Sequence, residues 1–251
     1  MTLSSSDSIS VTNLEKKFGD FTAVNKISFF VKKGEIFGFL GSNGSGKSTT
    51  IRMLCGIITP TSGAGMVAGH DIVTEPEEVK QSIGYMSQKF SLYEDLTPFE
   101  NLRFYLGVYS VDPALWSQRI DWVLKMTRLQ EARDRLTKEL PPGWRQRLAL
   151  GCSLLHKPDV LFLDEPTSGV DPVTRRHFWN FIGQIAGEGI TVFVTTHYMD
   201  EAQFCQRIVM IDAGSIVASG TPQEIITAAC PKKRNADLND AFITLMKRVK
   251  N

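Results

Sequence analysis

The sequence predicts an α/β domain in which a helical segment interrupts a core rich in strands. Three short apolar runs, at 160–163, 191–195 and 208–211, have the length and composition of buried strands. Between about 96 and 155, apolar side chains instead recur every three or four positions, as on one face of a helix. The chain has 251 residues, 42% of them apolar, which is enough for one such core with an insertion.

The first part of the chain predicts antiparallel strands joined by tight turns. Residues 23–27 and 29–31 are rich in residues that favour strands and are bounded by glycine-containing turns. A further strand at 35–40 leads into a glycine-rich loop, and a helix is expected at 47–55. The serine-rich residues 4–10 are expected to fray.

The central segment carries the start signal of a helix. Thr97 precedes Pro98, and Glu100 follows three positions after the threonine, a pattern typical of a capped N-terminus with proline in the first turn. A second helix is expected at 113–126, and an amphipathic helix at 239–249.

Composition narrows the class of protein. The 28 Lys and Arg residues nearly balance the 27 Asp and Glu residues, which argues against a strongly basic nucleic-acid-binding face. No apolar run approaches the roughly 18 residues that a membrane span needs. The four cysteines lack Cys-x-x-Cys spacing, which favours reduced thiols. We therefore expect a soluble intracellular domain without a nucleic-acid partner.

The most informative motif is a glycine-rich loop between a predicted strand and a predicted helix. It matches the pattern G-x-x-x-x-G-K-[ST]. Glycines let successive backbone N–H groups point at a polyphosphate, and the start of the helix adds its dipole. The lysine is expected to reach the β- and γ-phosphates, and the last serine to ligate Mg²⁺. The motif consists of Gly41, Ser42, Asn43, Gly44, Ser45, Gly46, Lys47 and Ser48.

An acidic pair follows the predicted strand at 160–163. Asp164 and Glu165 stand at its carboxyl end, where α/β sheets bind ligands. Asp164 is expected to hold Mg²⁺ through water, and Glu165 to act as the general base on the attacking water. Together with the glycine-rich loop, the pair predicts a nucleoside-triphosphate hydrolase.

With these motifs the chain resembles the nucleotide-binding domain of an ABC ATPase, specifically that of a transporter subunit, from about residue 9 to 246. The resemblance implies a P-loop NTPase core of the RecA-like type, with an antiparallel β subdomain and a helical subdomain. It also implies one domain over 1–251. Its core is expected at 9–88 and 158–251, and its helical subdomain at about 89–157.

The resemblance assigns roles to single residues. Gln88 resembles the Q-loop glutamine, a ligand of Mg²⁺ and water, and His197 resembles the switch histidine that contacts the γ-phosphate. Asp171 lies in a segment that resembles the D-loop. Further ATP contacts are implied for Phe18, where the family has an aromatic residue that stacks on adenine, and for Val24 and Thr49.

One motif departs from the family pattern. The signature usually reads Leu-Ser-Gly-Gly-Gln/Glu and opens a helix that faces the γ-phosphate bound to a partner domain. Proline here replaces the serine and the first glycine, so a hydroxyl and two backbone N–H donors are missing. We expect either a rigid but working trans site or an impaired one beside a better partner. The matching residues are Leu140, Pro141, Pro142, Gly143 and Trp144.

Spacing favours a transporter among the classes with this motif set. Ser48 lies 92 positions before Leu140, too few for the coiled-coil insertion of chromosome-structure members, and only one motif set is present. Residues 92–97 read like those of daunorubicin, multidrug and sodium-efflux exporter ATPases, whose permeases are of the ABC-2 type. Permease contacts are therefore expected from Leu92, Tyr93 and Leu96, the alternative being packing of the helical segment.

The resulting expectation is an ATPase subunit, peripheral on the inner face of the membrane, that uses ATP and Mg²⁺ to drive export through an ABC-2 type permease. A second ABC ATPase domain is expected to complete a head-to-tail dimer. The alternatives are a non-transport or regulatory ABC ATPase, or a weakly hydrolysing half of a tandem or heteromeric pair. A GTPase is disfavoured because no Asn-Lys-x-Asp motif is present.

Overall fold

The computed structural model describes residues 7–89 and 91–249. Strands in this part of the chain form two sheets. In chain order the strands are β1 (Asp7–Phe18), β2 (Phe21–Lys32), β3 (Ile36–Leu40), β4 (Ser62–Val67), β5 (His70–Asp71), β6 (Ile83–Met86), β7 (Val160–Asp164), β8 (Thr191–Thr196), β9 (Arg207–Asp212) and β10 (Ser215–Gly220).

The α-helices lie between and after these strands. The helices are α1 (Lys47–Leu54), α2 (Pro76–Ser82), α3 (Pro98–Val108), α4 (Trp116–Thr127), α5 (Pro142–Cys152), α6 (Pro172–Gly187), α7 (Pro222–Ala229) and α8 (Leu238–Val249). None of the helices in the described ranges has the length and apolar character needed to cross a membrane.

The two sheets differ in direction. The four-stranded sheet, in the order β2-β1-β4-β5, is antiparallel. The six-stranded sheet has the order β10-β9-β3-β8-β7-β6 and is parallel except for β10. Every residue of β3, β7 and β8 is buried, as expected for central parallel strands covered on both faces. The carboxyl ends of these three strands therefore meet at one edge.

The predicted α/β fold class is confirmed, and the apolar runs at 160–163, 191–195 and 208–211 are the cores of β7, β8 and β9. Residues 23–27 and 29–31 belong to one strand, β2. Lys26 has a positive φ, which makes the strand irregular at this point but does not end it.

The expectation that the beginning of the chain frays is wrong for 7–10. These residues form the start of β1, where Ile9 is fully buried between Val31 and Val67 of the neighbouring strands. Residues 4–6 lie outside the described part of the chain.

The helical segment begins as predicted. The hydroxyl of Thr97 accepts a hydrogen bond from the Glu100 backbone N–H, and the Glu100 carboxylate accepts one from the Thr97 N–H, forming a capping box. The helix expected at 113–126 starts as a 3-10 turn at Pro113–Leu115 and continues as α4. The helices α3, α4 and α5 enclose an apolar cluster that includes Leu102, Val123 and Leu148.

Candidate active site

The glycine-rich loop joins β3 to α1 and has the backbone geometry that its sequence predicts. Gly44 and Gly46 have φ values of +80° and +107°, a region that residues with a side chain seldom adopt. The chain then enters α1 at Lys47 with Gly46 as the N-cap. The loop therefore places the first N–H groups of α1 at the carboxyl edge of the parallel sheet.

Lys47 is buried against its own loop. Its ammonium group donates to the carbonyl oxygens of Gly41 and Ser42 at 2.9 and 3.0 Å. It also lies 3.0 Å from Oε1 of Glu165, at the end of β7. With only 4% of its side chain exposed, the lysine ties the phosphate loop to the acidic pair.

Glu165 is the centre of a network from four segments. Its second oxygen, Oε2, accepts a hydrogen bond from Nε2 of Gln88 at 3.3 Å and lies 3.2 Å from Nδ1 of His197. The Glu165 backbone has a φ of +48°, and its N–H donates to both the backbone and the side-chain oxygen of Thr195. The structure thus brings together Lys47, Gln88, Glu165 and His197, which lie far apart in the sequence.

Asp164 makes a separate set of contacts beside this network. Its Oδ1 accepts hydrogen bonds from the Ser48 hydroxyl at 3.1 Å and from the Thr195 hydroxyl at 2.7 Å. Burial and the charge of Asp164 raise the pKa of Tyr85 to about 12, so the neighbouring phenol stays neutral. Sequence reasoning missed Thr195, whose only signal was its position at the end of an apolar strand.

A cleft of about 410 Å³ opens above the loop and the network. Of the predicted loop residues, Ser42 lies with its hydroxyl 3.5 Å from the Asp212 carboxylate, and Ser45 is buried. The predicted residues that line the cleft are Asn43, Gly44, Gly46, Lys47, Ser48, Thr49, Gln88 and Glu165.

The antiparallel sheet also contributes to the cleft. Phe21 and Ala23 of β2 line it, and the Phe21 side chain is 63% exposed. Phe18 pairs with Phe21 across the turn and is also exposed, with Lys16 over its ring, but it is not among the lining residues. Phe21 was missed because both phenylalanines flank the same turn and, as a directly opposed pair, share one face of the sheet. Only their distance from the phosphate loop in the folded chain distinguishes them.

Val24, for which the resemblance implied an ATP contact, is not among the residues that line the cleft. Val24 is fully buried in the apolar cluster between the sheets. Side chains alternate along a strand, so Phe21 and Ala23 face the cleft while Val24 faces the core.

The signature segment lies apart from this cleft. Leu140 is buried, Pro141 is the N-cap of α5, and Pro142 is its first residue. The Trp144 N–H donates to the Pro141 carbonyl at 2.9 Å. Of the four residues from 141 to 144, only Gly143 therefore has a backbone N–H without an acceptor among the described residues.

Two close contacts connect α5 to its surroundings. A Cβ atom at Gly143 would lie 2.7 Å from the Thr174 methyl group of α6, so glycine permits the approach of the two helices. The buried Gln146 donates from Nε2 to the Pro166 carbonyl at 2.6 Å, directly after Glu165. Gln146 is a second residue that sequence reasoning missed, because its partner is distant in the sequence.

Asp171 has a local structural role in this chain. As the N-cap of α6, its carboxylate accepts hydrogen bonds from the Val173 and Thr174 N–H groups, both at 3.0 Å. The hydrogen bonds from Thr174 lower the pKa of this carboxyl. The structure places Asp171 outside the network around Glu165.

The predicted permease contacts surround the start of α3. Tyr93 is 47% exposed and meets the Phe104 ring edge-on, with 4.6 Å between ring centroids. Leu92 and Leu96 are half-buried. Exposed apolar surface continues over Phe104 and Val108 of α3. Phe90, which the sequence placed in the same stretch, lies outside the described residues.

Comparison with known families is decisive. The profile of the family described as "ABC transporter" matches residues 24–168, more than half of the chain. The chain belongs to the ABC transporter ATP-binding family. A profile described as "AAA domain, putative AbiEii toxin, Type IV TA system" also matches the shorter range 146–199. This range contains the acidic pair of β7 and the histidine after β8.

Curated relatives of this ABC protein are named as ATP-binding proteins. The chain is 48% identical over 239 residues to the probable multidrug ABC transporter ATP-binding protein YbhF of Escherichia coli, covering 95% of this chain and 41% of YbhF. It is 41% identical to the linearmycin resistance ATP-binding protein LnrL of Bacillus subtilis, covering 85% of this chain and 69% of LnrL. The chain thus spans less than half the length of YbhF.

A further relative is the daunorubicin/doxorubicin resistance ATP-binding protein DrrA of Streptomyces peucetius, at 38% identity over 93% of this chain and 71% of DrrA. Solved structures agree with the family. An ATP-binding subunit of an ABC transporter superposes with a TM-score of 0.83 at 26% identity, covering 95% of this chain and 99% of that one. A dimeric ATP-binding cassette with ADP and Pi gives a TM-score of 0.75 at 25% identity, covering 85% and 98%.

Proposed function

We propose that this chain is the ATP-hydrolysing subunit of an exporter and works with a separate ABC-2 type permease. The observation that carries the ATPase assignment is the buried Glu165 carboxylate held by Lys47, Gln88 and His197 at the phosphate loop. One relative is named as a probable multidrug ABC transporter protein, and two others are named for linearmycin and daunorubicin/doxorubicin resistance. These names support export of a drug-like or lipophilic substrate.

The loop is suited to the triphosphate of ATP. Backbone N–H groups and the start of α1 favour negative charge. The Lys47 ammonium would exchange its loop carbonyls and Glu165 for phosphate oxygens, and Phe21, with Phe18 beside it, offers an aromatic surface to adenine.

The residues beside the loop fit Mg²⁺. The Ser48 hydroxyl, the Asp164 carboxylate and the Gln88 amide supply the oxygen ligands that Mg²⁺ prefers, and one carboxylate is enough for an ion held mainly by phosphates and water. When bound, the ion would neutralise charge on the β- and γ-phosphate oxygens.

In the proposed hydrolysis, Glu165 accepts the proton of the attacking water. Its neighbours position it, because Gln88 and His197 both bind Oε2 while Lys47 lies at Oε1. The positive φ of Glu165 turns the side chain from the end of β7 towards the loop. His197 is 29% exposed, so part of its ring stays open to a ligand beside Glu165.

A second ABC ATPase domain completes the proposed site in a head-to-tail dimer, in which the start of α5 faces the partner's ATP. The dimeric cassette with ADP and Pi among the similar structures supports a dimer. The proposal also divides the single domain into a core at 9–88 and 158–251 and a helical subdomain at about 89–157, and places the chain on the inner face of the membrane.

A weakly hydrolysing member of an unequal pair is the second candidate. It is favoured by the start of α5, where two prolines leave Gly143 as the single free N–H donor of the segment. A lost hydrogen bond to a charged group costs about 1.5–3 kcal/mol. Trans closure on this half-site is then weaker by roughly tenfold to a hundredfold.

The ATPase assignment is tested by the substitution Glu165→Gln. Removing the proton acceptor is expected to lower steady-state phosphate release by roughly a hundredfold or more while ATP still binds. The matched control is Glu188→Gln, the same chemical change at the exposed end of α6. Phosphate release at the wild-type rate in Glu165→Gln would refute the role of this residue.

The export assignment is tested by purifying the tagged protein from membranes in mild detergent. An ABC-2 type membrane protein is expected in the eluate, in smaller amount with Tyr93→Ala and in unchanged amount with Ile243→Ala, an equally exposed apolar residue on α8. An eluate without membrane proteins would contradict the export proposal and favour a non-transport ABC ATPase.

A further inference from the structure

A cavity of about 390 Å³ lies between α5 and α6. Pro141, Gly143 and Trp144 of the signature segment line one side of it, and the phosphate loop and Glu165 are not among its lining residues. Its walls include Trp144 and Arg147 of α5, Phe181 of α6, and Arg128 at the end of α4. Sites for small molecules are typically concave, about 300–1,000 Å³ in volume, and largely apolar with a few polar groups. The volume and the lining of this cavity match that description.

Two guanidinium groups flank one aromatic wall of the cavity. The Cζ atoms of Arg128 and Arg147 lie 5.9 and 6.0 Å from the centre of the Phe181 ring. Arg147 also lies 5.3 Å from the Trp144 ring. Cation–π contacts of this kind hold both positive groups beside the rings.

Neither guanidinium has an acidic partner. Within the part of the chain that the structure describes, no carboxylate oxygen lies within 4.0 Å of Arg128 or Arg147, whereas Arg145, Arg175 and Arg207 each face one. Arg147 donates to the Thr127 and Gly143 carbonyls instead.

Burial and the nearby charge of Arg128 lower the pKa of Arg147. Two positive charges thus line one cavity, and no carboxylate among the described residues pairs with either. An anion placed between them would relieve this repulsion.

We propose that this cavity binds a small aromatic anion, with its acidic group between Arg128 and Arg147 and its ring against Trp144 and Phe181. Guanidinium groups form paired, charge-assisted hydrogen bonds with planar acidic groups, and the two aromatic side chains supply flat apolar surface.

An adjoining cavity leaves room for a larger aromatic anion. A neighbouring cavity of about 550 Å³ shares Arg128, Asn180 and Gln184 with it. The two amide side chains can donate hydrogen bonds to oxygen atoms of a ligand tail. An aromatic cation of equal size would place its charge against two guanidinium groups and is therefore excluded.

The probe for this site is 6-fluoro-2-naphthoate, followed by fluorine NMR as the protein is titrated. Wild-type protein is expected to give saturable binding, and Arg128→Gln to weaken it roughly tenfold or more. Arg103→Gln is the matched control, because Arg103 lies at the same 5.9 Å from an aromatic ring, Trp116, outside the cavity. Trp144→Ala is expected to weaken binding and Trp144→Phe to retain it.

Two further measurements test whether binding requires a negative charge and whether it occurs outside the ATP cleft. On wild-type protein, 2-naphthylmethylammonium is expected not to compete, a comparison that requires no variant to fold. Lys47→Ala is expected to keep its affinity for the naphthoate, which distinguishes the cavity from the ATP cleft. The proposal is overturned by absent or non-saturable naphthoate binding, by equal affinity in Arg128→Gln, by competition from the cation, or by loss of binding in Lys47→Ala.

Discussion

The two regions proposed to meet ATP are built in opposite ways. At the phosphate loop, side chains from four segments share hydrogen bonds around the buried Glu165. At the start of α5, two prolines open the helix and no side chain caps it. The first region fixes charged side chains before any ligand binds, whereas the second offers one N–H group and a helix dipole.

This difference indicates where the chemistry resides. A preorganised carboxylate acts on the nucleotide bound by its own chain. A helix start with few donors acts weakly on a nucleotide bound by a partner. We therefore expect substitutions around Glu165 to change activity greatly, and substitutions at α5 to tune it.

Among the residues that hold Glu165 in place, the largest effect is expected from His197→Ala. Loss of the group that holds Oε2 is expected to lower phosphate release by about a hundredfold. Combining it with Glu165→Gln should lower the rate little further, since residues that act as a unit are not additive. Losses that multiply in the double variant would show that the two residues act independently.

Next is Lys47→Ala, which removes the cation shared by the loop and Glu165. ATP affinity measured by equilibrium titration is expected to fall by roughly tenfold to a hundredfold, since a hydrogen bond to a charged group is lost. Lys80→Ala, at an exposed lysine paired with Glu77, is the control and should not change affinity. Unchanged affinity in Lys47→Ala would contradict its assignment to the phosphates.

A smaller, opposite effect is expected when Pro141→Ser and Pro142→Gly are combined. Restoring a hydroxyl and two N–H donors should raise ATP turnover up to roughly tenfold if the trans site is limiting. Pro222→Gly, at the equivalent first position of α7, controls for loss of a helix-starting proline. If the double variant and the wild-type protein turn over ATP at the same rate, the prolines only make a working site more rigid.

The smallest expected effect is on the free energy of unfolding, measured for substitutions at the N-termini of α3 and α5. Thr97→Ala removes the capping hydroxyl of α3 and is expected to lower the free energy of unfolding by about 1 kcal/mol. Pro141→Ala removes no side-chain cap at α5 and should change it by less than about 0.5 kcal/mol. Urea denaturation of both variants measures the difference, and the reverse order would contradict the contrast between the two helices.

Local spacing explains what the sequence could predict. The glycine-rich loop, the acidic pair after β7 and the Thr97 capping box each depend on residues within a few positions of one another. Such signals need no knowledge of the tertiary structure, and the structure places all three as expected.

The rest depended on contacts between distant segments. Nothing in the sequence joins Thr195 to Asp164 or Gln146 to Pro166, since each pair is formed by the packing of separate elements. The turn after β1 could not show which phenylalanine lines the cleft, because the two oppose each other on one face and only the tertiary placement of the phosphate loop separates them. The burial of Val24 likewise follows from the alternation of side chains along β2 and not from any local motif.

The Glu165 carboxylate is held in place by a backbone conformation that glutamate does not prefer. Its φ of +48° is one that glycine adopts readily and glutamate does not, at a cost of roughly 1–3 kcal/mol. Replacement by glycine would relieve this strain, whereas replacement by alanine would keep it while also removing the carboxylate. Glycine at position 165 would therefore raise stability and abolish ATP hydrolysis, because it relieves the strain and lacks the carboxylate. Stability and activity place conflicting demands on this one residue.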